Sequence, residues 1–325
     1  MPKEFYIREE LTALSAIPQR ALDALADDSS LPVCATCATQ YPAPRRDCTH
    51  AKLSGSTDHP QARGATTSSA TSRTRASRSS RPSRSSPSLR RVSISPACVK
   101  LTPAFLLETF EGSFIWDCSA VLTPPLIAHL THLRRPLKAM AISHPHFFST
   151  SLTWARALGV PLYINALDKE WYQRRESAGA DEVVFWSGTQ RLSSTLTLIE
   201  CGGHFPGSCV LHWDRAAEPL TSDADARAPD TGLLLVADTV MVQPTQKGIT
   251  FMWSIPNAIP LHPTDVLHIQ NVLREYDYDS VSSTWPDRWV RAGAARIFDE
   301  SVETYLSATG WERGRGDELV PRRKK

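Results

Sequence analysis

The stretch Ala139-Met-Ala-Ile-Ser-His-Pro-His-Phe-Phe-Ser-Thr150 runs a short apolar segment directly into two histidines one residue apart. Residues 139–142 are too few for a helix and read as a buried strand, leaving Ser143-His-Pro-His146 in the loop beyond its end. Pro145 restricts the backbone between the histidines. In a tight turn, imidazoles at positions i and i+2 can converge on one ion. Farther along the chain, His204 lies in Cys201-Gly-Gly-His-Phe-Pro-Gly207, directly after a predicted strand at 196–200. Asp238 follows the apolar run 233–237. Taken singly, each signal is weak. A histidine after two glycines is often a turn residue, and an aspartate after a strand is often a helix cap. Together they put four metal-ligating side chains at the ends of three apolar strands. Three neutral imidazoles and a carboxylate suit zinc and, less selectively, iron or manganese.

Around these strands the pattern is dense. Residues 105–109 and 113–117 read as strands about a Glu111-Gly112 turn, and 124–133 as a helix. A helix over 150–158 ends at Gly159, followed by a strand at 160–164 and a short helix at 168–171. Strands are predicted at 182–185, 209–213 and 280–283, and helices at 263–274 and 288–306. One further helix, 7–25, is broken at Pro18. Strand–helix alternation followed by runs of strands predicts an α+β fold.

Charge is distributed unevenly. Residues 61–95 carry eight arginines, no lysine and no acidic residue. Without them the remaining 28 basic residues face 34 acidic ones, a net charge of −6, which argues against a nucleic-acid partner for the bulk of the chain. No run approaches the roughly 20 apolar residues that cross a bilayer, so no membrane partner is expected. Seven cysteines, an odd number, and an N-terminus without an apolar signal core point to a reducing cytoplasmic setting. Three segments are predicted: 1–51, with Cys34-x-x-Cys37, Cys48 and His50 as a partial zinc-knuckle pattern; 52–97, Ser/Arg-rich and disordered; and 98–325, the globular domain. An alternative origin for residues 48–100 is a retained intron or a shifted reading frame, which the transcript would settle.

The landmarks FEGSFIWDC (110–118), AISHPHFFST (141–150), LTLIECGGHFPGSCVLHW (196–213), LLLVADT (233–239) and ITFMWSIPNAIPL (249–261) resemble those of the metallo-β-lactamase-fold hydrolases. More narrowly, they resemble a fungal and bacterial subgroup bearing the Ser-His-Pro-His motif. The resemblance implies an αββα sandwich with His144, His146 and His204 as ligands of a first metal. It also implies Asp238 as the carboxylate that normally bridges two metals; with one metal, that carboxylate would either ligate the ion or act catalytically by accepting the attacking water's proton. The chain departs from the usual His-x-His-x-Asp-His pattern at Phe148 and Ser149, and carries Thr284-Trp285-Pro286 where a late ligand histidine is usual. The implied activity is metal-dependent hydrolysis by a metal-bound water, with one zinc, of a small-molecule ester, thioester, lactone or phosphodiester. The alternatives are a non-catalytic metal-binding or scaffold protein, and an RNA-associated arginine–serine protein.

Overall fold

The computed structural model describes residues 3–5, 17–34, 38–43, 61–63, 88–92, 104–219, 232–255, 257–285, 287–314 and 318–322. They fall into two compact units, residues 1–186 with 218–226, and residues 187–217 with 227–325. In both, β-sheet and helix combine, and the class is α+β as expected.

The first unit carries strands β1 (Lys3–Phe5), β2 (Pro32–Cys34), β3 (Gln61–Arg63), β4 (Ser88–Val92), β5 (Ala104–Glu108), β6 (Ser113–Trp116), β7 (Leu137–Ala141), β8 (Leu162–Asn165) and β9 (Val183–Trp186). Seven of them form one mixed sheet in the order β1-β4-β5-β6-β7-β8-β9, while β2 and β3 pair separately. The run from β6 to β9 is parallel. Parallel strands are normally covered on both faces, and β6 is correspondingly buried at every residue. Helix α1 (Gln19–Asp28) begins directly after Pro18, so the predicted break is its start, and residues 7–16 lie outside those described. Helices α2 (Pro124–Thr131) and α3 (Ser151–Leu158) follow β6 and β7. Thr123 caps α2 by accepting from the Leu126 amide at 3.4 Å, with proline in its first turn.

Asp28, at the end of α1, is buried, and its carboxylate accepts two bonds from the Arg174 guanidinium at 2.9 and 3.1 Å. Thr153 donates to the same carboxylate at 2.6 Å, its hydroxyl oxygen lies 3.1 Å from the Gln40 side-chain oxygen, and Arg174 donates to that oxygen. A charged network thus ties residues 28 and 40 to α3 and to the chain beyond β8.

The second unit has a six-stranded sheet made of β10 (Thr189–Arg191), β11 (Leu196–Glu200), β12 (Cys209–Trp213), β13 (Leu233–Ala237), β18 (Ser280–Ser283) and β19 (Trp289–Val290), in that order. The intervening short strands are β14 (Met241–Val242), β15 (Ile249–Thr250), β16 (Met252–Ser254) and β17 (Ile259–Pro260), and the chain closes with β20 (Trp311–Arg313) and β21 (Leu319–Pro321). Helices α4 (Pro263–Leu273) and α5 (Ala294–Ala308) pack on the sheet through Val266, Ile269, Leu273, Phe298 and Val302, against Leu234, Val236 and Val281. The last helix starts at Ala294 and not at residue 288, because Trp289 and Val290 pair with Ser282 and Val281 and the turn at Gly293 intervenes.

Asp277 and Gly232 meet closely beneath this sheet. A Cβ at Gly232 would stand 2.0 Å from the Asp277 carbonyl oxygen and 2.6 Å from His212 Nε2. Gly232→Ala is therefore expected to cost about 1–3 kcal/mol by overpacking, read as a lower urea midpoint. A midpoint matching the parent protein would contradict that packing. Among the described residues, no helix is long and apolar enough to cross a membrane. Of the 52–97 segment, 61–63 and 88–92 are strands and the rest lies outside the described residues. The knuckle pattern lies outside them too, apart from the buried Cys34.

Candidate metal centre

The loop after β7 is held from below. Asp117, at the end of β6, is buried with φ +61°, and its carboxylate accepts from the Ser143 amide at 2.8 Å. The Asp117 amide in turn donates to the Ala141 carbonyl at 2.9 Å. A non-glycine residue in the left-handed region is costly, and such residues concentrate where a site needs an unusual chain direction. Asp117 thus acts structurally on the histidine loop. Cys118 beside it contacts the Phe147 carbonyl at 3.6 Å, and burial pushes its thiol well above the usual range, so it is an inert thiol.

From Ser143 the chain is extended through His144 and then turns, with Pro145 opening a 3₁₀ turn over Pro145–Phe147. His144 is buried, and its Nδ1 lies 2.9 Å from the Ser143 hydroxyl. His146, half-buried, sets its ring 5.2 Å from that of His144 at an interplanar angle of 71°. The next two side chains turn elsewhere. Phe148 is buried edge-to-face against Tyr172, with ring centroids 5.2 Å apart, and Ser149 donates to the Ala38 carbonyl at 3.2 Å.

His204 comes from the turn after β11. Gly202 and Gly203 have φ of +68° and +82°. A Cβ at Gly203 would lie 3.0 Å from Ile269 and 3.3 Å from Leu261, so glycine serves both the conformation and the close approach of α4. The turn closes through the Phe205 amide, which donates to the Ser208 hydroxyl at 2.8 Å. His204 is buried, with Nδ1 3.2 Å from the Met252 carbonyl.

Asp238 leaves β13 after Ala237, whose φ is +45°. Its turn is fixed by Thr239, which donates from its amide to the Val236 carbonyl at 3.0 Å and from its hydroxyl to the Cys209 carbonyl at 3.2 Å.

His144, His146, His204 and Asp238 form one group that could hold a metal ion, the four ligand atoms all lying within 4.8 Å of one another. Other histidines of the described residues stand apart from this group. His262 caps α4 through Thr264 and is exposed, as is His268. Phe251 is core, while Trp253 and Trp285 are exposed.

His212 is packed in β12, its Nε2 donating to the Asp277 carbonyl at 2.9 Å. Burial holds its pKa below the ordinary value, outweighing that hydrogen bond. The folded state therefore binds fewer protons than the unfolded chain near pH 6. The stability this contributes is complete above the unfolded pKa of about 6.5 and is lost as pH falls below it. The urea midpoint is expected to fall between pH 7.5 and 5.5, and to fall less in His212→Gln. Equal slopes for both proteins would refute this.

No protein-family model matches the chain. Over 210 residues it is 31% identical to the uncharacterized protein YmaE of Bacillus subtilis (strain 168), covering 64% of this chain and 70% of that one. Among solved structures it is similar to a metallo-β-lactamase from Pontibacter korlensis, at 16% identity, TM-score 0.45, and 68% and 95% coverage of the two chains. A metallo-β-lactamase from Erythrobacter litoralis gives 10%, 0.46, 66% and 92% in the same terms. A quorum-quenching N-acyl homoserine lactone hydrolase gives 18%, 0.32, 45% and 65%.

Proposed function

We propose that the chain, which belongs to the family of the Bacillus subtilis protein YmaE, is a metal-dependent hydrolase of the metallo-β-lactamase kind with a single zinc, because three of its histidines and an aspartate form one group. The observation that carries the reading is the convergence of the four ligand atoms within 4.8 Å. The donor set fits the ion. Metal-binding histidines characteristically engage their second ring nitrogen, and the Ser143 hydroxyl and the Met252 carbonyl do this at Nδ1 of His144 and His204. Nε2 of each would then be the ligating nitrogen. One metal is proposed because the positions that usually serve a second are turned to other uses: Phe148 packs on Tyr172, and Ser149 bonds Ala38.

When bound, the zinc supplies a Lewis acid that polarises the scissile carbonyl and makes water nucleophilic near neutral pH. Asp238 takes the proton of the attacking water. The water oxygen adds to the acyl carbon, the bond to the leaving oxygen or sulfur breaks, and the proton passes to that leaving atom. The products are an acid and an alcohol or thiol. The same reading assigns the activity to residues 98–325, acting on a small molecule in the cytoplasm without membrane or nucleic-acid partners. Purified protein is expected to turn over ester, thioester or lactone probes, to lose that turnover on chelation, and to regain it with zinc. Turnover that persists in chelator contradicts the proposal. Metal binding without turnover of any probe selects the scaffold alternative.

A further inference from the structure

Two of the four large hydrophobic side chains exposed among the described residues, Trp253 and Ile259, sit on one hairpin; each is 42% exposed. The hairpin is β16 paired antiparallel with β17, Met252 opposite Pro260 and Ser254 opposite Ile259, with an irregularity between them. Its flanking residues Phe251 and Leu261 are buried, so the hairpin is rooted in the core, while residues 257–260 are exposed. Leaving an indole and a sec-butyl group partly in water forgoes some of the burial that such side chains ordinarily gain.

The hairpin is also joined to the metal centre. The Met252 carbonyl, one residue before Trp253, is the group bonded to His204 Nδ1 at 3.2 Å. The same backbone that sets the His204 ring therefore carries the exposed indole. Between Lys247 and Asp265 the chain contains no Asp, Glu, Lys or Arg, so an ionised substrate group would find no counter-charge on this element. Bulges and irregular pairings are common beside sites because they re-aim side chains.

We propose that the 252–260 hairpin, through Trp253 and Ile259, is the acyl-recognition element of the site, taking an uncharged aliphatic acyl chain; this rests on the hydrolase reading above. The favoured substrates are then neutral esters, thioesters or lactones with an extended apolar acyl group, in preference to phosphodiesters or to acyl groups bearing a charge.

The test uses the full chain and ligands that cannot be hydrolysed, a series of 2-alkanones from 2-pentanone to 2-undecanone, titrated by calorimetry. Affinity is expected to rise roughly fourfold per methylene while the chain contacts the hairpin, the fold-change that corresponds to burying one CH₂. In Trp253→Ser/Ile259→Ser the dependence on length flattens. Both side chains are exposed, so the variant is expected to keep the parent's thermal midpoint and metal content. The proposal is overturned by length-independent binding in the parent protein, by an unchanged slope in the variant, or by tighter binding of an alkyl phosphate than of the ketone of equal length. Hydrolysis of matching esters reads the enzyme proposal separately. Length-dependent binding without turnover sinks that proposal and supports this one.

Discussion

Asp238→Asn is expected to lower turnover by about 100- to 10,000-fold, the range a positioned general base supplies, while metal stays bound. The amide matches the carboxylate in shape and remains a weak oxygen donor, but it cannot take a proton. The three histidines, held in the loops after β7 and β11, are left in place by the substitution. The geometry around Asp238 gives the residue little freedom to be replaced by a neighbour. Ala237 holds a left-handed φ of +45°, and both the amide and the hydroxyl of Thr239 are committed to backbone carbonyls. Metal content and steady-state kinetics on the same preparation decide the matter. Full turnover in the asparagine variant removes Asp238 from catalysis, whereas loss of the metal makes it primarily a ligand.

Asp28→Ala is expected to destabilise the protein by about 3–5 kcal/mol, the usual cost of removing one partner from a buried ion pair. The side chains of Asp28 and Arg174 are each 4% exposed, so the guanidinium left behind would have no water to replace the carboxylate. Thr153 would also lose the carboxylate that accepts from its hydroxyl. Much of a domain's total stability of roughly 5–15 kcal/mol is at stake, so the variant should unfold at a markedly lower denaturant concentration. The second substitution makes the claim specific. Adding Arg174→Met removes the stranded charge, and Asp28→Ala/Arg174→Met is expected to recover stability relative to Asp28→Ala alone. A double variant no more stable than the single one would show that packing, not charge, dominates there.

How much of this was legible in the sequence depends on where each signal resides. The strands 196–200, 209–213, 233–237 and 280–283 were placed to the residue. Three of these are apolar runs bounded by turn residues, and buried sheet leaves such runs nearly continuous. The exposed strand Thr189–Arg191 was missed because its three polar residues carry no burial pattern. The last helix was started six residues early, since Arg288–Val290 looks helical locally and is claimed by pairing with β18. At the candidate site, the residue types and their places at strand ends were readable. Their partners were readable only in part. Asp117 was visible as an acid at a strand end, but the group beside His204 is a backbone carbonyl, which every residue has. The Asp28–Arg174 pair spans 146 residues, and no local pattern reports a contact at that separation.

The central claim is that His144, His146, His204 and Asp238 hold one metal ion. Elemental analysis of the purified protein beside His204→Ala tests it most directly. The account predicts one zinc per chain in the parent protein and none retained by the folded variant. Two metals per chain, or a parent protein that binds none stoichiometrically, would contradict it.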